Sequence, residues 1–147
     1  MGRVAAGVTI GRSQQDVFDF LSNPANLPGW SPAFESAEWT SADAPGAGST
    51  YRVSARLLRS RKHGLFEITQ WDRPRLFSYR MNTRAFPIER IETTIALQPA
   101  DDGTRVSFDS QFELVRMLRF AEGLFARFGE KQDGRNLDVA KRILEAG

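Results

Sequence analysis

The 147 residues carry 20 basic and 18 acidic side chains, no cysteine and a single histidine. The absence of cysteine excludes disulfides, thiolate nucleophiles and zinc–thiolate clusters, and one histidine excludes a site with several histidine ligands. A formal net charge of +2 is small beside the concentrated basic stripe that nucleic-acid binding requires. We therefore expect no metal, no cofactor and no nucleic-acid partner.

The length and the 41% hydrophobic share are those of one globular domain, residues 1–147, whose core needs no disulfide or metal. No apolar run approaches the roughly 18 residues that cross a bilayer, and the first residues lack the apolar stretch of a signal peptide. We expect a cytoplasmic protein. The sequence leaves its oligomeric state open between monomer and dimer.

The first elements in chain order are a predicted strand at Val4–Ile10 and a short helix behind it. Ser13 offers a side-chain oxygen at the helix N-cap, and Asp16 three residues later makes a variant of the capping box. The helix ends before residues 23–30, which contain two prolines and a glycine. This segment predicts a compact turn with a second short helix, which brings Trp30 to the edge of the core.

Six further segments alternate between apolar and polar residues, which is the pattern of half-buried strands. Turns of a few residues connect them, and Asp101-Asp102-Gly103 has the strongest hairpin composition. Parallel strands need long crossovers, so the predicted sheet is antiparallel. The predicted strands span residues 34–40, 49–58, 65–71, 76–81, 88–98 and 104–114.

The strand at residues 65–71 has no clear polar face, because Glu67 shares one face with Leu65 and Trp71. If that face is inward, Glu67 is a buried carboxylate with a raised pKa that could act as a general base. If it is outward, Glu67 is a surface residue. The pattern leaves both alternatives open.

The single histidine, His63, falls in a predicted turn at residues 60–64, inside the most basic segment of the chain. Arg56, Arg59, Arg61 and Lys62 flank it. An imidazole invites a role as acid or base, but a hairpin tip that faces water is the better interpretation. We expect a solvated turn and no functional histidine.

Residues 115–144 are predicted to form one long C-terminal helix of about 45 Å. That is longer than packing in a small domain requires, so we expect the sheet to wrap around it. Gly129 and Gly134 each cost about 1 kcal/mol relative to alanine in a helix interior and predict a bend near them. The apolar residues at the spacing of one helix face are Met117, Leu118, Ala121, Leu124, Phe125 and Phe128. The opposite side carries Arg116, Arg119, Glu122, Arg127 and Lys131.

Several segments of the sequence resemble those of a known protein family. They are Asp16–Pro24, Leu27–Pro32, Gly46–Tyr51, Trp71–Arg80 and Gly103–Phe108. With this order of elements, the chain resembles the START-like or SRPBCC superfamily over essentially its whole length, in particular the polyketide cyclase/dehydrase-like branch. The resemblance implies an α+β helix-grip fold, in which a curved antiparallel sheet of about seven strands grips the C-terminal helix around an apolar cavity.

The same resemblance implies lipids, polyketides, sterols, plant hormones or aromatic metabolites as occupants of the cavity. Some relatives cyclise or dehydrate their ligand, whereas others carry, sense or deliver it. No shared set of catalytic residues transfers to this sequence.

The inward-facing positions of the predicted elements are the candidate cavity wall, and the same residues would also make a filled core. Trp30 and Tyr79 each bring a polar atom that could orient a ligand. The candidate wall consists of Trp30, Tyr51, Val53, Ala55, Leu57, Trp71, Phe77, Tyr79, Met81, Ile91, Thr93, Ile95, Phe108, Ser110, Phe112, Leu118, Ala121, Phe125 and Phe128.

Three functions stay open. The first is a module that binds or carries a small hydrophobic or aromatic metabolite. The second is an enzyme of the polyketide cyclase/dehydratase type, in which Glu67, Tyr79 or Arg80 moves a proton and orientation of the substrate supplies much of the rate. The third is a protein-interaction module that docks a partner on the helix or the sheet edge.

Overall fold

A curved antiparallel sheet and a long C-terminal helix form the frame of the fold. The computed structural model describes residues 1–41, 44–57, 59–83 and 86–147, without the side chain of Leu57. The strands are Gly2–Ile10 (β1), Phe34–Trp39 (β2), Thr50–Leu57 (β3), Ser60–Asp72 (β4), Leu76–Met81 (β5), Ile88–Ala100 (β6) and Gly103–Leu114 (β7). The α-helices are Gln14–Ser22 (α1), Leu27–Trp30 (α2) and Glu122–Ala146 (α3), and 3-10 helices span Pro24–Asn26 and Arg116–Ala121.

The strand order is β1-β7-β6-β5-β4-β3-β2, and every neighbouring pair is antiparallel. The predicted antiparallel sheet and the helix-grip fold are confirmed. Gly103, in the hairpin between β6 and β7, has a φ of 150°, and a Cβ there would lie 2.0 Å from the carbonyl oxygen of Ile10. Only glycine therefore fits where this hairpin passes the end of β1.

Helix α1 begins as its capping residues predict. The Asp16 amide donates to the Ser13 side-chain oxygen at 3.1 Å. One face of α1 buries Val17, Phe18 and Leu21 against the concave side of the sheet. Sequence pattern and packing agree here because the apolar residues fall at helical spacing.

Helix α3 lies against β1, and its C-terminal half closes the core. Leu137 and Ala140 are fully buried and belong to the same apolar cluster as Phe18 of α1 and Trp30 of α2. No helix in the described part of the chain is both long and apolar enough to cross a bilayer.

The predicted long C-terminal helix is confirmed, but its first residues, those before Glu122, are not α-helical. A 3-10 helix occupies Arg116–Ala121, and the α-helix begins at Glu122. The Glu122 carboxylate is buried and accepts the Leu114 amide at 2.8 Å, so it lies on the packed side of the helix, opposite to the predicted side. The α-helix then continues through Gly129 and Gly134 to Ala146, and the bend predicted near these glycines stays a prediction.

The predicted turn at residues 60–64 is also wrong. Strand β4 begins at Ser60 and pairs with β3 along its whole first half, so His63 lies opposite Ser54 within a ladder. The chain reverses before Ser60, where Arg59 has a φ of 67°. His63 is exposed, as expected, but on a strand and not on a hairpin tip.

Candidate ligand-binding site

The concave face of the sheet is the floor of the candidate site, and it divides into a closed half and an open half. In the closed half, α1, α2 and the end of α3 cover the floor. In the open half, the beginning of α3 stands over β6 and β7, and spaces remain beside it.

The closed half contains only a small void of about 10 Å³. A space of this size holds one water molecule at most, so this part of the fold is a packed core. Its walls are Leu21, Ser22, Pro24, Leu27, Trp30, Tyr51, Ile68, Phe77, Tyr79 and Ile95. The indole Nε1–H of Trp30 is buried and has no acceptor among the described residues.

The open half contains an apolar hollow of about 160 Å³. Its apolar walls are Ala33, Phe34, Val53, Ala55, Phe66, Met81, Ile88 and Ile91, and Gly64, Arg56, Lys62 and His63 complete its lining. The strands place these walls together because Val53 of β3, Phe66 of β4 and Met81 of β5 point to the same face in register.

The ring of Phe66 separates the hollow from the void. Its centroid lies 5.3 Å from that of Tyr79 and 5.4 Å from that of Tyr51, both of which border the void. On its other side, Phe66 borders the hollow and contacts Phe34, with centroids 6.1 Å apart. A change in one side chain could therefore join the two spaces.

A wide groove of about 520 Å³ runs along one flank of α3 and opens to solvent. Its lining residues are Phe125, Phe128, Gly129, Lys131, Gln132 and Arg135. Phe125 also packs in the apolar cluster that contains Ile88 and Ile91, which are walls of the hollow. The groove and the hollow thus lie on either side of one layer of side chains.

Three hydroxyl groups cross the middle of the concave face in a row that we call the polar row. Tyr79 of β5 pairs with Thr93 of β6, and Thr93 pairs with Ser110 of β7. The Thr93 and Ser110 hydroxyls lie 2.9 Å apart and are buried. Burial raises the pKa of Tyr79 far above its usual value, and a hydrogen bond with Thr93 opposes this only in part. Tyr79 therefore keeps its proton and can donate it in a hydrogen bond.

Asp133 of α3 is a partly buried carboxyl group that sequence reasoning missed. Its carboxyl group is close enough to Tyr79 to act on it electrostatically. Burial raises the pKa of Asp133 from 3.8 to about 6. The signal was present in the sequence, because Asp133 precedes the buried Leu137, Ala140 and Leu144 by four, seven and eleven residues and so shares their helix face. The carboxyl group can therefore both accept and donate a proton near neutral pH.

Glu67 and Arg80, two of the weak catalytic candidates, lie on the opposite face of the sheet. A bulge in β4 between Ile68 and Gln70 brings Trp71 to the inner face, which is why the strand shows no consistent polar side. Hydrogen bonds from Asn82 and Arg80 lower the pKa of Glu67. The inward alternative for Glu67 is wrong, and the outward one holds. Among the described residues, no cluster of acidic or histidine side chains is placed to hold a metal ion.

Other predicted wall residues of the strands lie on the concave face, where they pack against helices or in the core and do not line the hollow. Trp71 packs edge-on against Phe18 at 5.1 Å, and Phe108 is buried in the main cluster. Phe112 lies over Phe125 at 5.7 Å. The side chain of Leu57 lies outside the described residues.

The helix part of the predicted wall is correct only in part. Leu118 and Phe125 pack in the cluster of β1, β6 and β7, and Ala121 is half-buried. Phe128 is 68% exposed and contributes only to the groove. Met117 and Leu124, predicted on the same apolar face, are also exposed. The prediction failed because the packed side of α3 runs through Glu122, Phe125 and Ala126, which leaves Leu124 and Phe128 on an exposed flank.

A family model described as polyketide cyclase / dehydrase and lipid transport matches residues 1–144. The chain belongs to this family. No curated protein matches the sequence. The polyketide cyclase/dehydrase assignment agrees with the resemblance seen in the sequence and, like it, leaves the ligand unnamed.

Solved structures share the family's fold at low identity. TTHA0849 from Thermus thermophilus has a TM-score of 0.81 at 20% identity, over 98% of this chain and 97% of that one. A START superfamily protein from Mycobacterium smegmatis has a TM-score of 0.74 at 14% identity, over 99% and 96%. The di-domain ARO/CYC BexL from the BE-7585A biosynthetic pathway has a TM-score of 0.77 at 14% identity, over 97% of this chain and 46% of that one.

Proposed function

We propose that this chain binds a small, mainly apolar molecule of the lipid or polyketide class, with an aromatic ring as the favoured core, between the curved sheet and α3. The observation that carries the proposal is the apolar hollow, whose walls include Val53, Phe66, Met81 and Ile91. Small-molecule sites are typically concave and apolar with few polar groups. The family description, which names polyketides and lipids, points to the same class.

The size of the hollow limits what enters without rearrangement. An apolar cavity of about 150 Å³ accommodates one benzene-sized ring, and the hollow has about 160 Å³. A larger ligand would extend out of the hollow past Arg56 and Lys62 at its edge or toward the groove beside Phe125. We therefore expect the hollow to enclose one ring, and a second ring or the rest of a longer molecule to extend out of it.

Polar atoms near the hollow favour a ligand that carries oxygen. The Trp30 indole N–H is buried without an acceptor among the described residues, which is unfavourable unless a partner is supplied. Tyr79, which keeps its proton, borders the same void. Two donors behind an apolar hollow would suit a ring with a hydroxyl or keto oxygen at its inner end.

The proposal is tested with 2-naphthol, a two-ring probe with one hydroxyl group, by isothermal titration calorimetry on the full chain. Ala55→Phe would fill the hollow from β3, because Ala55 is one of its walls. Ser54→Phe adds the same ring to the neighbouring residue, whose side chain points to the opposite face. We expect Ala55→Phe to weaken binding about tenfold or more and Ser54→Phe to leave it unchanged.

Urea denaturation of both variants establishes that they fold. Equal affinity in the wild type and in folded Ala55→Phe would contradict the proposed location. The absence of any binding by the wild type, both to 2-naphthol and to dodecanoate as a single-chain lipid, would contradict the function.

A second candidate function, a cyclase or dehydratase, is favoured by one observation, the electrostatic effect of the partly buried Asp133 on Tyr79 of the polar row. The ionised carboxyl group would remove a proton from a methylene between two carbonyl groups. The resulting carbanion would form a carbon–carbon bond to a third carbonyl carbon of the chain. The π electrons of that carbonyl group would move to its oxygen, and the new alkoxide would take the proton back from Asp133. Loss of water would then form the double bond, and Tyr79 could donate a hydrogen bond to the carbonyl oxygen under attack.

The enzyme alternative is tested with a linear poly-β-ketone thioester, followed by mass spectrometry for the cyclised product that has lost water. Asp133→Asn should lower the rate of product formation about a hundredfold, the scale of one general base. Asp138→Asn, an exposed carboxylate on the same helix, is the control. If the product forms at the same rate in buffer alone as with the wild-type protein, the enzyme alternative is contradicted and ligand binding is the remaining proposal.

A further inference from the structure

One end of the molecule exposes a row of large apolar side chains. We call it the end stripe, and it consists of Phe86, Met117, Phe120, Leu124 and Phe128. Phe120 is 86% exposed, Met117 74%, Phe128 68%, Leu124 60% and Phe86 53%. Single exposed apolar residues are ordinary, but a contiguous group marks a surface that meets something other than water.

The geometry of the backbone makes the end stripe continuous. Met117 and Phe120 are three residues apart in the 3-10 helix, where such side chains are eclipsed. Phe120, Leu124 and Phe128 follow at intervals of four, which places neighbours on one helix flank. Phe86 shares a shallow depression with Met117. The stripe therefore runs from the end of β7 along the first turns of α3.

Most charges around the end stripe are basic, and four of the cations have no ion pair among the described residues, whereas Arg119 pairs with Glu113. Arg116 lines the depression beside Met117, and Lys131 and Arg135 line the groove beside Phe128. Together with Arg127 they are exposed and make no ion pair within the described residues. Many arginines elsewhere on the surface are paired, such as Arg3 with Asp109, Arg61 with Glu35, Arg73 with Asp19 and Arg80 with Glu67. Arg90, Arg105 and Arg142 are exposed without an ion pair among the described residues, but they do not lie beside an apolar row. The exposed acids nearby, Glu130 and Asp138, are fewer than these cations.

We infer that the end stripe docks on the surface of an anionic lipid bilayer. Aromatic and aliphatic side chains would enter the headgroup region, and the unpaired cations would meet the lipid phosphates and carboxylates. A second copy of the chain is a poorer occupant, because self-pairing of the stripe would bring Arg127 and Lys131 of both copies together. The docking surface does not depend on the proposed ligand, although it lies beside the groove through which a ligand could pass.

The test is flotation of the full chain with vesicles of phosphatidylcholine alone and of phosphatidylcholine with phosphatidylserine. We expect binding to the serine-containing vesicles to be about tenfold stronger, and to weaken as salt screens the charges. Phe120→Ser/Leu124→Ser should reduce it about tenfold, and Arg127→Glu/Lys131→Glu should abolish it. All four positions are exposed, so thermal unfolding should match the wild type.

Arg105→Glu/Arg142→Glu is the matched control, because it reverses two exposed arginines away from the end stripe and so changes the net charge by the same amount. It should leave flotation unchanged. Equal binding to both vesicle types with no effect of the stripe variants would overturn the inference. A dimer in light scattering that Phe120→Ser/Leu124→Ser dissociates, without vesicle binding by the wild type, would assign the stripe to a second copy and overturn it as well.

Discussion

The two halves of α3 have similar apolar periodicity and opposite environments. In the C-terminal half, Leu137 has no exposed surface and Leu144 is 7% exposed. In the N-terminal half, Leu124 and Phe128 point to solvent, and the buried position at the start belongs to a carboxylate, Glu122. The comparison teaches that a helical pattern identifies a face but not what covers it.

The difference arises from the elements that meet each half. Residues of α1 and α2 pack against the C-terminal half, and Asn136 donates to the Ser31 hydroxyl at 3.2 Å just after α2. The N-terminal half has no such cover among the described residues and stands beside the groove and the hollow. Stability therefore resides mainly in one half of the helix, and the candidate binding functions reside in the other.

The largest expected loss of stability comes from a substitution in the closed half. Leu137→Ala removes a fully buried side chain and leaves a cavity, so we expect it to lower the free energy of unfolding by about 3 kcal/mol. The same substitution at the exposed Leu124 should change it by less than about 0.5 kcal/mol. Urea denaturation measures both. Equal losses at the two positions would contradict the division of the helix.

A smaller effect concerns Asp133, which lies between the two halves. Its pKa in the folded state, about 6, is above the 3.8 of an unperturbed carboxyl group. The folded state therefore holds this proton more tightly than the unfolded state does. The contribution of Asp133 to the free energy of unfolding is fully present below about pH 4 and is lost as pH rises through 6. Asparagine at this position has no such proton to lose. The free energy of unfolding of Asp133→Asn should therefore rise by about 2 kcal/mol relative to that of the wild type as pH increases from about 4 to about 8.

Urea denaturation at a series of pH values measures this gain. Tyr79, on which Asp133 acts electrostatically, stays uncharged throughout, because its pKa is raised far above this range. Asp138→Asn, at an exposed position of the same helix, should follow the wild type at every pH. A constant difference between Asp133→Asn and the wild type would show that the carboxyl group is not buried.

The smallest effect compares the two glycines near the middle of α3. A Cβ at Gly129 would lie 2.9 Å from Cγ2 of the buried Val4, whereas a Cβ at Gly134 meets nothing within 4 Å. We expect Gly134→Ala to stabilise the fold by about 0.5 to 1 kcal/mol and Gly129→Ala to destabilise it by about 1 kcal/mol. Thermal unfolding measures the signs, and stabilisation by both would show that β1 does not approach α3 this closely.

Local chemistry predicted much of the sheet. The apolar and polar alternation of β7 and the Asp101-Asp102-Gly103 turn needed no information from elsewhere in the chain, and neither did the Ser13 cap. The turn before β4 was misplaced because the charged residues 60–64 resemble a loop, yet their backbone pairs with β3. Pairing with a neighbouring strand outweighed local composition there.

The candidate site was predictable as a face but not as a shape. The sequence alone determined which residues share the concave side in β3, β6 and β7, because side chains alternate along a regular strand. It did not do so in β4, where the bulge breaks the alternation. Only the tertiary structure decided that Phe66 separates the packed core from the hollow, that Asp133 acts electrostatically on Tyr79, and that Phe120 and Leu124 remain exposed. Each of these depends on how far α3 lies from the sheet along its length, which is set by contacts between residues far apart in the chain.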